Sequence, residues 1–265
     1  MHNTLNILTA NPAGNKTIFV LDHFERTEYK DIADKLLANQ EIAAEQVGFI
    51  IPAAGSEPGR MEMCGQEFCG NASRSYALYL AKILGLNGPG SVSIMVSGVD
   101  EALEVEVDTS SDFTKISMPV PTEIISFPLN SCQDAQLVIF NGILHLVVFD
   151  QPATLDFFKD SISPIQELYS VPAIGVMFYD TLSSFLTPVV WVRDINSTYF
   201  EGSCASGSVA TAAVLSKNFN DGLYTFTLPQ PKGILEITII KENGSVKNAF
   251  LQGKVELNDP MQIFI

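Results

Sequence analysis

Histidine is scarce in this chain of 265 residues: His2, His23 and His145 are the only three, and no two are neighbours. No pair of imidazole ligands at helical spacing can be built from them. The four cysteines, Cys64, Cys69, Cys132 and Cys204, form no CxxC, so a sequence-local zinc site is not expected. They are also too sparse to staple a disulfide-dependent secreted scaffold, and a reducing, cytoplasmic location is expected. Basic residues are few, with 15 Lys and Arg against 30 Asp and Glu and a net charge of −15. That balance argues against a nucleic-acid partner and against a polybasic membrane patch. No stretch approaches ~18 uninterrupted apolar residues, so no membrane span is expected. The start, MHNTLNILTANPAG, lacks a cationic segment followed by a long apolar run, so no secretory signal is read there.

What is present is a large core. Hydrophobic residues make up 46% and charged residues 17%, with a mean hydropathy of +0.21. The length suits one large domain or two of about 130 residues. Strands are expected over Thr4–Leu8, Thr17–Leu21 and Val47–Ile51, with Asn11–Asn15 as a turn. Met61–Phe68 reads as extended, after a Pro/Gly-rich loop. Glu28–Leu37 and Gly70–Leu84 read as helices. The second carries Ala77, Leu78, Leu80, Ala81 and Leu84 on its apolar side, and Gly85 stops it. Val92–Val96 and Leu103–Val107 are strands around a Gly98 turn. Beyond Pro119–Glu123, Gln136–Phe140 and Ile143–Phe149 flank the hairpin signal Asn141-Gly142. Thr154–Tyr169 is partly helical, with Pro164 interrupting it. Val189–Val192 opens as a strand after Pro188, Ser206–Leu215 is a small-residue helix, and Tyr224–Leu228 and Leu235–Ile240 are strands.

The two halves match. FCGNASRSYALYL at Phe68–Leu80 aligns with SCASGSVATAAVL at Ser203–Leu215, about 135 residues on and close to half the chain. Ser93–Val96 aligns with Thr225–Leu228, and Leu103–Val107 with Leu235–Ile239. Three matches in one order, extended segment, Cys, helix, strand, turn, strand, point to an internal duplication. Domains are expected at 1–120 and 121–265, with the last strand free to return to the first.

Each half therefore sets a Cys before a helix that starts with small residues. The first N–H groups of a helix have no intrahelical partner, and the helix dipole adds positive potential there. Such a site lowers a thiol's pKa and binds a carboxylate. If the halves pack about a pseudo-twofold axis, a small carboxylate would lie between two thiols. That arrangement suits racemisation at an α-carbon, in which one sulfur removes a proton from one face and the other returns one to the opposite face. Helix N-termini would hold the carboxylate and stabilise the carbanion, with no cofactor and no metal. Cys64 and Cys132 read as packing residues. A redox reading, in which two facing thiols oxidise, stays open.

At these residues the chain resembles the diaminopimelate epimerase superfamily. EFCGNASRS at Glu67–Ser75 and SCASGS at Ser203–Ser208 are similar to its two cysteine motifs. With Asn11–Asn15, EQVGF at Glu45–Phe49 and VSG at Val96–Gly98, the chain looks closest to the histidine racemase branch, which supplies D-histidine for staphylopine-type metallophores. The resemblance implies an α+β fold of two pseudo-symmetric domains, each a β-barrel-like sheet wrapped around a central helix. It implies Cys69 and Cys204 as the acid/base pair, with Gly70, Asn71, Ala205 and Ser206 holding the α-carboxylate through backbone N–H. Asn15 matches a substrate-binding Asn, Glu45 a substrate-recognition Glu, and Glu201 a group that contacts the α-ammonium or side chain. The oligomeric state is left open, a homodimer included.

The departures also inform. The Glu-Arg dipeptide by which diaminopimelate epimerases recognise their substrate falls here on Ile195 and Asn196, with Arg193 nearby but out of register. Loss of that Arg disfavours diaminopimelate. Ala205 stands where the family usually has Gly. An acidic pocket from Glu45 and Glu201 would favour an imidazole or cationic side chain. Histidine is the favoured substrate. Diaminopimelate, another polar amino acid and proline or hydroxyproline are the alternatives, and a small-carboxylate binder or thiol-redox protein is the non-racemase reading.

Overall fold

The computed structural model describes residues 4–51, 59–130, 132–194 and 196–265. His2, Ile195 and most of the Pro/Gly-rich loop before Met61 lie outside the described residues. The fold is α+β, and the chain divides into two compact units. Unit 1 holds the N-terminal segment through Ser117 together with Gln252–Ile265, and unit 2 holds Met118–Leu251.

Unit 1 runs β1 (Thr4–Asn11), β2 (Thr17–Val20), α1 (Tyr29–Leu37), β3 (Gln46–Ile51), β4 (Gly59–Met63), α2 (Gly70–Ile83), β5 (Pro89–Val96), β6 (Leu103–Asp108) and β7 (Phe113–Met118). These strands lie side by side in the order β7-β6-β5-β4-β3-β2-β1. The β2–β3 and β4–β5 pairs are parallel, and the helices α1 and α2 make their crossovers. On α1, Tyr29, Ile32, Ala33 and Leu36 form one buried face, and the Tyr29 ring stacks on Phe49 at 3.7 Å.

Helix α2 has no solvent face over its first turns. Every residue from Gly70 to Leu78 is buried, against β1, β4, β5 and β6. Gly70, Ala72, Ser73, Ser75 and Ala77 let the backbone pack closely around the large buried side chains of Arg74 and Tyr76, and the hydroxyls of Ser73 and Ser75 donate back to Cys69 O and Asn71 O, each at 2.7 Å. The helix ends at Gly85 (φ +74°), where Leu86 N–H reaches Ala81 O and Gly85 N–H reaches Lys82 O in a Schellman pair. Leu84, read as part of the apolar face, is 68% exposed because the helix has already left the sheet. The extended reading through Phe68 is also too long. β4 stops at Met63, and a turn with Gln66 at φ +63° bonds Gln66 N–H to Met63 O.

Glu62 on β4 is 1% exposed and bridges Arg26 and Arg60. The Arg26 hydrogen bond is the main reason that its carboxyl is held down at about 2, against an ordinary 4.5. Its pKa is therefore lower folded than unfolded. The stabilisation is present above about pH 4.5 and is lost as pH falls towards about 2. Glu62→Gln should flatten the stability-versus-pH curve across that window, measured by urea unfolding. An unchanged slope would remove Glu62 from the acid limb.

Unit 2 runs β8 (Glu123–Ser126), β9 (Gln136–Ile139), β10 (Ile143–Phe149), α3 (Leu155–Leu168), β11 (Ala173–Asp180), β12 (Phe185–Val192), β13 (Ser197–Phe200), α4 (Ala205–Leu215), β14 (Gly222–Gln230), β15 (Gly233–Glu242) and β16 (Ser245–Lys254). A six-stranded sheet has the order β13-β12-β11-β10-β9-β8. Its β10–β11 pair is parallel and crosses over through α3. Helix α4 packs against β9, β10, β11 and β15. It is as buried as the start of α2, and here small Ala, Gly, Ser, Thr and Val side chains allow it. β16 carries the chain back into unit 1, where β17 (Glu256–Leu257) and β18 (Met261–Phe264) pair with β1.

Two expectations fail in unit 2 at proline. α3 continues through Pro164. The carbonyl left without a partner is that of exposed Asp160, which water can reach, and Ser161 and Ser163 donate to neighbouring carbonyls. β12 begins at Phe185, so it contains Pro188. Pro188 O accepts Glu201 N–H, so the proline's missing donor points to the same side, beyond the β13 ladder, where no strand needs it. The repeated hairpins differ in register. Ile94 pairs with Leu103, but Phe226 pairs with Ile237 rather than with Leu235. A shift of two residues keeps every side chain on its face, so the repeat survives it.

Candidate active site

Cys69 and Cys204 each stand one residue before a buried helix in nearly the same backbone conformation. Cys69 has φ −126° and ψ 108°, and Cys204 has φ −128° and ψ 112°. Their carbonyls accept the N–H of Ser73 at 2.9 Å and of Ser208 at 3.0 Å. The duplication read from sequence is thus preserved at the level of backbone geometry. The N–H groups of the first turn, at Gly70, Asn71, Ala205 and Ser206, sit where a carboxylate binds a helix start. Ala205 is not in the left-handed region, so its side chain costs no backbone strain.

In unit 1 the sulfur of Cys69 accepts Ala72 N–H at 3.5 Å and an N–H of Gln46 Nε2 at 3.3 Å. Gln46 Nε2 also lies 2.8 Å from Asn15 Oδ1, and Asn15 Nδ2 donates to Glu45 Oε2 at 3.2 Å. Asn15, Glu45 and Cys69 are therefore joined in one network, and Gln46 is the residue that joins them. Sequence reasoning passed over Gln46. Its signal was present, because it follows Glu45 and opens β3, whose start pairs beside Thr17. The Asn71 side chain turns away to accept Arg74 Nε at 3.3 Å, which leaves only its backbone for a ligand.

In unit 2 the carboxylate of Glu201 hydrogen-bonds the Cys204 thiol, and the Ser206 hydroxyl lies 3.7 Å from the sulfur. Ser206 Oγ in turn lies 2.9 Å from His145 Nε2. His145 is fully buried on β10, and burial pushes its pKa down to about 3, so the ring is neutral. Its Nδ1 has no hydrogen-bond partner among the described residues. An orphaned acceptor is more tolerable than an orphaned N–H, which puts the proton on Nε2 and leaves the Ser206 hydroxyl to donate toward sulfur. Gly175 on β11 makes the ring fit, since a Cβ there would overlap His145 Nδ1. Gln230, also unforeseen, accepts Cys204 N–H at 2.8 Å and donates to Ser208 Oγ at 2.8 Å. Nothing local to either Cys motif points to His145 or Gln230, which arrive from other strands.

One electrostatic expectation is overturned. The helix starts were expected to draw both thiols toward thiolate. Instead burial pushes Cys69 up to about 11, against opposing help from Ala72 N–H and Gln46. Burial and the Glu201 carboxylate push Cys204 well above its ordinary value. Desolvation of the anion outweighs two or three N–H donors. The residues that differ from diaminopimelate epimerases have other tasks. Asn196 Oδ1 accepts Trp191 Nε1–H at 2.9 Å. Arg193 donates to Val171 O at 2.7 Å and lies over the Trp191 ring. Cys132 donates to Asp134 and Cys64 packs beside the α1 cluster. Among the described residues no group of three or more His, Cys, Asp or Glu side chains is placed to hold a metal ion.

Comparison with known proteins bears on the family and the fold. The family described as the histidine racemase CntK N-terminal domain matches residues 4–263. A histidine racemase of Fusobacterium nucleatum is 32% identical, over 98% of this chain and 97% of its own. A histidine racemase of Staphylococcus aureus is 27% identical, over 86% of each chain. Among solved structures, a predicted epimerase from Pseudomonas aeruginosa superposes with a TM-score of 0.69 at 10% identity, covering 98% of this chain and 99% of its own. A hydroxyproline epimerase from Agrobacterium vitis superposes with a TM-score of 0.65 at 10% identity, covering 100% and 93%. These distant structures speak for the fold alone. With its repeated Cys–helix unit and a family match spanning nearly all of its length, the chain belongs to the histidine racemase family.

Proposed function

We propose that this protein interconverts L- and D-histidine without a cofactor, using Cys69 and Cys204 as a two-base pair. The observation that carries the reading is the matched pair of cysteines at the start of two buried helices, in a chain whose curated relatives are histidine racemases. The chemistry requires one sulfur on each face of the α-carbon. A thiolate takes the α-proton, the carbanion's charge moves into the carboxylate, and the opposite thiol gives its proton to the other face. Atoms and charge balance, and the two sulfurs exchange protonation states in each turnover. The N–H groups of Gly70, Asn71, Ala205 and Ser206 supply preorganised donors where negative charge develops. Glu45, oriented by Asn15, suits recognition of an imidazole N–H, and Glu201 suits an α-ammonium. All four cysteines are free, as this mechanism and a cytoplasmic location need.

The test is hydrogen exchange in D₂O with single L-amino acids and no added cofactor. L-histidine should gain α-deuterium and lose optical rotation, in the presence of a metal chelator as in its absence. Thiol alkylation should stop both. Diaminopimelate and proline should exchange at least ~10²-fold more slowly, for want of matched polar partners. Exchange with diaminopimelate alone would overturn the substrate, and exchange with no amino acid would overturn racemisation.

A further inference from the structure

We propose that Gln46 is a positioning residue whose carboxamide serves the Cys69 sulfur in both of its protonation states, donating to the thiolate and accepting from the thiol. The proposal rests on the reading above, in which Cys69 is one of the two acid/base groups.

Both ends of one amide reach the sulfur. Gln46 Nε2 lies 3.3 Å from Cys69 Sγ, and Gln46 Oε1 lies 3.4 Å from it. Neighbours fix which end is which. A carboxylate only accepts, so Glu45 Oε2 takes an N–H of Asn15 Nδ2 and leaves Asn15 Oδ1 for Gln46. Asn15 Oδ1 also only accepts, so the group that faces it at 2.8 Å is Nε2.

Gln46 Nε2 then has two hydrogens for three acceptors: Asn15 Oδ1 at 2.8 Å, Thr17 Oγ1 at 2.8 Å and the Cys69 sulfur. Asn15 keeps one, and Thr17 and Cys69 compete for the other. While Cys69 is protonated, its S–H points to Oε1 and the second N–H stays with Thr17. Once the proton has passed to the α-carbon, the negative sulfur draws that N–H, because a hydrogen bond to an ion is the stronger one. Thr17 keeps a partner, since its hydroxyl lies 3.4 Å from Asn15 O. The sulfur thus gains and loses its proton with no flip of the amide beside it, and such preorganisation spares reorganisation at the moment of reaction.

The other thiol has different company. In unit 2, Gln230 spends its amide on Cys204 N–H and Ser208 Oγ, while the Cys204 sulfur meets Glu201 and the Ser206 hydroxyl. Cys204 is therefore an internal control for changes at Gln46. The charged groups around Cys69 also stay constant. Glu67 lies two residues before it and opposes its ionisation, Glu45 bonds Asn15, and Arg74 on α2 bonds Asn71, Thr114 and the carbonyls of Gly253 and Lys254.

The experiment is iodoacetamide alkylation of the full chain at neutral and mildly alkaline pH, where the rate follows the thiolate fraction. Peptide mass spectrometry follows Cys69 and Cys204 separately. Gln46→Met keeps the bulk and removes donor and acceptor. It should slow Cys69 about tenfold, the equivalent of one pH unit, and leave Cys204 unmoved. Thr17→Val keeps the shape and removes the competitor for the second N–H, so it should speed Cys69 about twofold. A merely structural role predicts no gain there. An unmoved Cys69 in Gln46→Met, an equal slowing of Cys204, or no gain in Thr17→Val would each overturn the proposal. If Gln46→Met does not fold, the sign of the Thr17→Val effect still decides. Histidine exchange is measured on the same samples. In Gln46→Met kcat should fall about threefold, the loss of thiolate being partly offset by a more basic sulfur, and KM should hold. A KM that rises more than kcat falls would make Gln46 a substrate contact and overturn the proposal. Absence of exchange in the unaltered protein, with the alkylation rates as expected, would count against racemisation and not against the role of Gln46.

Discussion

Replacing Cys204 by Ser should lower histidine racemisation by at least ~10³-fold, and Cys69→Ser should do the same. A serine hydroxyl at either position is too weak an acid to form the base, and burial there already penalises an anion. The fold should tolerate both changes. Each Cys is the residue that caps its helix, and Ser is a good cap, able to accept from the first-turn N–H groups. Each single variant breaks one half of a relay, so the double variant should be little worse than either alone. Cys64→Ser and Cys132→Ser should stay within about twofold, since neither thiol belongs to a helix start and general acid–base catalysis is lost only with a group that moves the proton. The measurement is racemisation of L- and D-histidine, with circular dichroism to confirm folding. Retained activity in Cys204→Ser, or collapse in Cys64→Ser, would mean that the pair is wrongly assigned.

Gly98→Ala should be the most damaging small change in unit 1. Gly98 has φ +74°, and a Cβ there would overlap Phe68 N and lie 2.8 Å from Glu67 C and 3.0 Å from Phe68 Cα. These are backbone atoms and cannot rotate aside. The neighbouring Ser97 hydroxyl pins the same segment, donating to Glu67 O at 2.8 Å and accepting Met63 N–H at 2.9 Å. The VSG motif therefore fixes the backbone that delivers Cys69 to its helix. Strain at φ and displacement of that segment together should cost about 3 kcal/mol, and racemisation should fall at least ~10-fold because Cys69 shifts. Gly142→Ala is the control. Its φ is +91°, but nothing lies within 4 Å of an added Cβ, so only the conformational cost of about 1 kcal/mol remains. Urea unfolding of the two variants compares them directly. Equal costs would show that no backbone clash exists at Gly98.

The readings that succeeded rest on short-range spacing. Gly70–Leu84 was legible as a helix from its apolar side and the Gly85 stop, and Ser206–Leu215 from its run of small residues after a Cys. The readings that failed placed local preference above tertiary context. Pro164 and Pro188 were taken as breaks, yet the carbonyl that Pro164 leaves unpaired belongs to exposed Asp160, within reach of water, and the donor missing at Pro188 is needed by no strand. β7, β11 and β16 were not foreseen at all. β11, AIGVMFYD, is buried on nearly every residue and so lacks the alternation that marks a half-exposed strand.

By itself the sequence determined the duplication, the two cysteines that open matching helices, and the family to which their motifs point. These are properties of residues within a few positions of one another, and backbone geometry at such range follows from the chain's own sterics and hydrogen bonding. Only the tertiary structure decided what surrounds each sulfur. Gln46 reaches the Cys69 sulfur, His145 reaches Ser206 beside the Cys204 sulfur and Gln230 reaches the Cys204 backbone N–H, each from a strand distant in sequence, and burial raised both pKa values where the helix starts alone predicted a fall. The cost of desolvating an ion depends on everything packed around it, and that sum has no signature in any local stretch of residues.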